Sequence, residues 1–470
     1  MASHPPDART LGELRAAGHR PRSLREELRE NLLGRLRRGE PLFPGILGYE
    51  DTVLPAVENA ILCGHDLIFL GERGQAKSRM IRALVELLDE WVPAVAGSEI
   101  CDDPFAPVSA FARRKVACEG DATQIAWVQR DDRYGEKLAT PDTSVADLIG
   151  DVDPVKVAEG RTLADELTIH FGLLPRTNRG IFCINELPDL TEKVQVALFN
   201  VLEERDFQVK GYRVRLPLDV LVVASANPED YTSRGRIITP LKDRYAAQIR
   251  THYPPTRELE LRIALQEARP PRVDGVRVAI PRFMEEIVAE MTLQARSSPD
   301  VSQSSGVSVR VSIANYETLV ANALRRALAL GEREAAPRIS DLPALEASTA
   351  GKLEFEYAGA GKDESEVLAE LRKRAVKRVF DELVPGEGVA SVVEAFNQGW
   401  NVEVSAGMAS TEYLEGLDAI AGLREGAARL AGGSSPALLA SAIEFILEGL
   451  HLSNRLNKSE RDGRAVYGQP

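Results

Sequence analysis

The chain has 470 residues, more than one hydrophobic core usually fills, so two or three domains are expected. Its 44% apolar and 27% charged residues suit a globular protein and exclude a largely disordered one. A net charge of -13 argues against a protein built to coat DNA, so nucleic acid is not the expected partner.

Residues 1–40 run against that charge, with nine Arg and six acids for a local balance of +3. Leu24, Leu28, Leu32 and Leu36 recur every four residues, which predicts an amphipathic helix. Two fates are open to it: packing on the main domain, or docking as an arm on a neighbouring subunit. From about residue 41 the pattern is α/β. Residues 66–70 form a short apolar run that predicts a buried strand, and Ile81, Leu84, Val85 and Leu88 predict a helix over 78–91. Residues 124–129, 180–184 and 220–225 are three further strand candidates, separated by helical stretches such as 192–204. Strands alternating with helices imply a mostly parallel sheet covered on both faces. From about residue 254 the pattern turns helical, clearest at 259–268, 283–295 and 313–330, with a polar loop at 296–306. The expected organisation is a helical arm over 1–40, an α/β core over 41–255, a helical subdomain over 256–350 and a further helical region over 351–470. No run approaches ~18 uninterrupted apolar residues, so no membrane span is expected. Cys63, Cys101, Cys118 and Cys183 are widely spaced, which suits a reducing, cytoplasmic setting rather than a disulfide scaffold or a structural zinc site.

The strongest chemical signal is Gly71, Glu72, Arg73, Gly74, Gln75, Ala76, Lys77 and Ser78, a loop that follows a predicted strand and opens a predicted helix. Such a loop turns several N–H groups toward one point, and the helix start adds about half a positive charge, so phosphate oxygens are held there. Lys77 is placed to reach the β- and γ-phosphates of ATP, and Ser78 to give its hydroxyl to Mg²⁺. Ala76 stands where the pattern usually has Gly, and its methyl group fits if the local φ is negative, which is the expectation. Residues 181–186 are an apolar strand with a polar end. Glu186 is placed there to act as general base on the attacking water. Asn185 stands where Asp usually orients the hydrated Mg²⁺; an amide can bond a metal-bound water but adds no negative charge. A third strand, 221–226, ends at Asn227, an amide placed to position that water near the γ-phosphate.

The order of these motifs resembles the AAA+ ATPases, and within them the MoxR and magnesium-chelatase motor-subunit group, over about residues 40–350. Phe171 to Gly180 is similar to the segment that leads into the second nucleotide strand of the chelatase motor subunit. The resemblance implies a P-loop AAA+ core with a parallel five-stranded sheet, followed by an α-helical lid and a helical C-terminal region. It further implies a helix-2 insertion where residues 161–170 would lie, and a β-hairpin at 206–216. Arg244 would be the arginine finger that reaches the ATP of the adjacent subunit; the alternative is a salt bridge with Asp243 or another acid. Arg310 would be the lid arginine that contacts the γ-phosphate; the alternative is an ordinary surface arginine. A homo-oligomeric ring, expected to be a hexamer, is also implied. The function implied first is a MoxR-like ATPase that remodels or matures a partner, working with a von Willebrand factor A domain protein. The alternative is the ATPase motor subunit of a magnesium chelatase. A nucleic-acid motor or transcription activator is the third possibility. It rests on Lys210, Arg213 and Arg215, and is opposed by the net charge and by the lack of a helix-turn-helix or GAFTGA-type loop.

Overall fold

The computed structural model describes residues 4–158, 166–205, 216–227, 235–303, 305–356, 363–384, 389–415, 420, 422–461 and 464–469. Residues 161–165 of the expected insertion, and residues 206–215 of the expected hairpin with Lys210, Arg213 and Arg215, lie outside them. The chain divides into two compact units, 1–252 and 253–470.

After a short helix at Leu11–Ala16, the first unit holds helix α1 (Leu24–Arg38), which Ser23 and Glu26 start with a reciprocal capping box and Gly39 ends in the left-handed conformation. Leu24, Leu28 and Leu32 of its stripe are buried, each stabilising by about 2 kcal/mol, whereas Leu36 is 40% exposed. They share a core with α2 (Val53–Cys63) and with β1 (Leu67–Leu70), so this helix packs on its own chain. Glu27 of α1 meets Arg133 in a bidentate pair, 2.7 Å at both oxygens, with both side chains buried. Arg133 Nε also donates to the carbonyl of Arg179 at 2.8 Å.

The sequence predicts one helix over 78–91, but the structure holds α3 (Lys77–Ala83), then a 3-10 turn over Leu84–Leu87, then a strand, Trp91–Val95. The apolar spacing is real, since Ile81, Leu84, Val85 and Leu88 are all buried. The helix ends because α1 captures the chain: the N–H of Asp89 donates to Glu27 Oε1 at 2.6 Å, and Asn31 donates to the Asp89 carboxylate at 2.9 Å. The strand expected over 124–129 is present as Ile125–Gln129, but it pairs antiparallel with Trp91–Val95, outside the main sheet.

The main sheet adds β2 (Tyr134–Leu138), β3 (Gly180–Asn185), β4 (Val220–Ala226) and β5 (Ala247–Arg250). All its pairs are parallel, in the order β2-β3-β4-β1-β5. Alternation along the strands buries both faces: Phe182, Ile184, Val220 and Val222 enter one core, and Ile181, Cys183, Leu221 and Val223 the other. Because the strands run parallel, their carboxyl ends share one edge, and the loops after β1, β3 and β4 converge there. Gly150–Val152 and Ile169–Phe171 form a short antiparallel pair on either side of residues 159–165.

The second unit is mainly helical. Its long helices are α4 (Arg257–Glu267), α5 (Arg282–Ser297), α6 (Arg310–Ala329), α7 (Glu364–Leu383) and α8 (Pro436–Leu452). Residues expected on either side of position 350 share one core, which runs from Ala268 to Tyr467. Phe445 stacks on Phe283 at 4.4 Å and meets Phe380 edge-on at 5.7 Å. Gly449 allows α8 to approach α7, because a Cβ there would meet the Phe380 ring at 2.0 Å. A small antiparallel sheet joins residues 402–404, 464–468 and 457–461. Among the described residues, no single helix is long and apolar enough to cross a membrane.

Candidate active site

The predicted loop lies at the carboxyl end of β1. Gly71 has no room for a side chain, since an added Cβ would lie 2.0 Å from Thr251 Oγ1 and 2.2 Å from Gln75 Oε1. Those two atoms hydrogen-bond at 2.5 Å, which ties the loop to the end of β5. The Tyr49 hydroxyl lies 2.9 Å from the carbonyl of Gln75 and 3.0 Å from that of His252, so its single proton serves either. Burial pushes the Tyr49 phenol well above its ordinary value, which keeps it a donor.

Gly74 has φ 78° and Ala76 has φ 58°. The expectation of a negative φ at Ala76 is therefore wrong. The chain turns through the left-handed region to start α3, with Ala76 as its N-cap and the Ala76 carbonyl accepting from Met80 N at 3.0 Å. An alanine held there costs about 1–2 kcal/mol against its preferred conformations. The methyl group is accommodated by strain, not by a relaxed backbone.

Lys77 is buried. Its ammonium donates to the carbonyls of Gly71 and Glu72, the latter at 2.8 Å, and to Asn227 Oδ1 at 2.5 Å. Ser78 and Arg73 are exposed at the same loop, and Glu72 is half-buried. Asn227, one residue past β4, donates through Nδ2 to Glu186 Oε2 at 2.7 Å. Glu186 itself leaves β3 in the left-handed conformation, with φ 57°, and its N–H donates to Ser225 Oγ at 3.2 Å. The structure thus joins Lys77, Asn227 and Glu186 into one hydrogen-bonded chain across three strand ends.

Asn185 is buried beside them. Its Oδ1 accepts from Ser225 Oγ at 3.2 Å and from Cys183 Sγ at 3.5 Å, and its Nδ2 donates to Glu136 Oε1. Burial pushes the Cys183 thiol up to about 12, so it stays protonated. Glu136, on β2, was not singled out in the sequence. It also accepts from Arg82 Nε and Nη2, both at 3.0 Å, and from the Tyr134 hydroxyl at 3.0 Å. Burial opposes its ionisation, but the hydrogen bonds from Arg82, Tyr134 and Asn185 outweigh it and hold the carboxyl below its ordinary value. Tyr49 and Thr251 were also missed, because their contacts cross about 180 to 200 positions in sequence.

Arg244 closes the short helix Thr239–Arg244. Its acid partner is Glu203, not Asp243: Nε donates to Glu203 Oε2 at 2.8 Å, and Nη1 to the carbonyl of Pro240 at 2.8 Å. The guanidinium also lies over the Phe199 ring at 4.3 Å. Arg310 opens α6 in the second unit and is exposed, and its N–H donates to Ser308 Oγ at 3.1 Å.

The donor set at the strand ends fits a nucleoside triphosphate with Mg²⁺. It offers a buried ammonium and turned loop N–H groups to phosphate oxygens, the Ser78 hydroxyl to a hard cation, and carboxylates on two neighbouring strands.

A family model described as the Sigma-54 interaction domain matches residues 162–242. The magnesium-chelatase subunit ChlI of Nostoc sp. is 28% identical over 235 residues, which are 48% of this chain and 58% of that protein. The magnesium-chelatase 38 kDa subunit of Rhodobacter capsulatus is 27% identical over 244 residues, 49% of this chain and 61% of that protein. The chain thus spans about three fifths of the length of these relatives. Among solved structures, one from a complex between subunits BchI and BchD of magnesium chelatase is 20% identical, with a TM-score of 0.36, over 70% of this chain and 100% of that one. Taken with the strand order and the loop after β1, these matches make the chain similar to the AAA+ ATPases of the magnesium-chelatase group.

Proposed function

We propose that the chain is an ATP-hydrolysing motor of the magnesium-chelatase type, acting as a homo-oligomeric ring. The observation that carries this is the hydrogen-bonded chain Lys77–Asn227–Glu186, which links the phosphate-holding cation to the strand-end acid through one amide. In this reading the loop from Gly71 to Ser78 holds the phosphates, with Lys77 releasing its carbonyl partners for the more negative phosphate oxygens. Ser78 and the Asn185 side would hold the Mg²⁺, which would supply positive charge against the developing charge of phosphoryl transfer. Glu186 takes the proton of the attacking water, and Asn227 fixes the carboxylate that does so. Arg244 acts on the ATP of the adjacent subunit once it leaves Glu203, and Arg310 serves as the lid arginine.

The chelatase relatives favour the motor-subunit reading over the broader MoxR-like remodelling one. A companion with a von Willebrand factor A domain, the client and the hexameric state belong to the proposal by resemblance. The test is steady-state ATPase activity against protein concentration, with mass photometry on the same samples. Specific activity that rises with assembly supports a site shared between subunits. A monomer that turns over ATP at constant specific activity overturns the ring motor.

A further inference from the structure

Asn185 leaves the metal side of this site one negative charge short of an Asp-Glu pair, and the structure shows where a replacement carboxylate stands. Glu136 is on β2, the strand next to β3, and shares a face with Asn185, because it is paired in register with Cys183. The Asn185 amide is fixed in orientation. Its oxygen is taken up by Ser225 and Cys183, and its nitrogen points at Glu136. The oxygen of Asn185 is thus turned inward, and the accessible anionic oxygens beside it are those of Glu136. Besides Asn185 and the Tyr134 hydroxyl, Glu136 binds Arg82, through two nitrogens at 3.0 Å. Arg82 lies one helical turn after Ser78 on α3, so the two side chains project from one face of that helix. The Glu136 carboxylate therefore reaches the helix face that presents the Ser78 hydroxyl.

We infer that Glu136 supplies the anionic group of the Mg²⁺ side that Asn185 lacks, with Arg82 as its counter-ion in the absence of nucleotide. This rests on the nucleotide-site reading above. Two carboxylates, Glu186 and Glu136, then serve the strand ends, one from each of two neighbouring strands. Glu136 is a positioning residue: it acts through Asn185 and through water on the cation, and does not take part in proton transfer. The exposed Arg82 side chain is free to swing away when a cation arrives, since 64% of it is accessible.

The test separates metal affinity from nucleotide affinity. A fluorescent ADP analogue is titrated into the full chain in excess chelator, and Mg²⁺ is then titrated into the complex. Glu136→Gln should raise the Mg²⁺ concentration for half-saturation by about tenfold, as loss of an outer carboxylate does, with metal-free ADP affinity within about twofold. Adding Asn185→Asp to Glu136→Gln should restore Mg²⁺ affinity, because the charge returns one strand over. Arg82→Gln keeps the carboxylate and removes its counter-ion, so Mg²⁺ affinity should hold or tighten. Unchanged Mg²⁺ affinity in Glu136→Gln overturns the inference, as does a failure of Asn185→Asp to rescue. Arg82→Gln weakening Mg²⁺ by about tenfold would reduce Glu136 to one half of a structural ion pair, and decides the matter even if Glu136→Gln does not fold. A wild-type chain that binds no ADP at all, with or without Mg²⁺, overturns the nucleotide site and this inference together.

Discussion

Asn227 donates to Glu186 at 2.7 Å while its own oxygen receives Lys77 at 2.5 Å, so one amide reads both the phosphate cation and the acid. Replacing Glu186 by Gln keeps this geometry and removes the base. The expected result is an ATP-loaded protein whose turnover falls by about 10²–10⁴, with ATP affinity retained. Asn227→Ala should also lower kcat more than it raises KM, because it frees the carboxylate while Lys77 keeps its bonds to the carbonyls of Gly71 and Glu72. Lys77→Ala should abolish nucleotide binding instead. Equilibrium binding of a slowly hydrolysed ATP analogue, beside single-turnover rates, distinguishes the three patterns.

The left-handed turn at Ala76 gives a second expectation. Ala76→Gly relieves strain in the folded chain but loosens the unfolded one, two effects of about 1 kcal/mol each with opposite sign. Urea denaturation should therefore place it within about 1 kcal/mol of the parent. Ala76→Val puts a branched side chain at φ 58° and should lose about 2 kcal/mol or more. A valine variant as stable as the parent would show that the turn relaxes.

Arg244 is held by Glu203, whose side chain is 56% exposed, so the pair contributes under about 1 kcal/mol to folding. Glu203→Gln should leave thermal stability nearly unchanged and free the guanidinium for a neighbouring subunit. Its ATPase activity at concentrations where the ring forms should equal or exceed that of wild type. Arg244→Ala should assemble and be inactive. An active Arg244→Ala ring would assign this arginine to the Glu203 pair alone.

Glu382 on α7 receives Arg257 and, at 2.7 Å, Arg378, and these two hold its carboxyl below the ordinary value of 4.5. A lowered folded value means that the folded state binds fewer protons than the unfolded one. The contribution is thus complete above the ordinary value and is lost as pH falls through the folded one. Glu382→Gln should lose up to about 1 kcal/mol at pH 7, where the exposed pair is screened by water, and progressively less as pH falls below the ordinary carboxylate range. Chemical denaturation at pH 7, 5 and 3 checks the sign.

The loop, Lys77, Glu186 and Asn227 were legible in the sequence because each sits at the end of an apolar strand, where a polar residue has few structural reasons to be. Glu136 was not, because β2 has a weak apolar pattern and every partner of Glu136 apart from Tyr134 lies on another element. The strand over 125–129 was legible as a strand but not as a member of a separate antiparallel pair, since alternation fixes the period and not the partner. The helix over 78–91 was read too long because its apolar spacing continues through a 3-10 turn, and the contact that ends it comes from α1, about 60 residues earlier. The sign of φ at Ala76 was misread because a methyl group gives no hint of the turn around it.

The pair between Glu27 and Arg133 has a consequence for the order in which the molecule can be finished. The two residues are 106 positions apart, and the N–H of Leu24 finds its acceptor, Asp219, 195 positions away. The leucine stripe of α1 can pack once α2 and β1 emerge, but the Glu27 carboxylate and the Leu24 N–H wait for Arg133 and Asp219. A helix made early is thus among the last to complete its polar contacts, and during that interval its carboxylate and its first N–H are left to water.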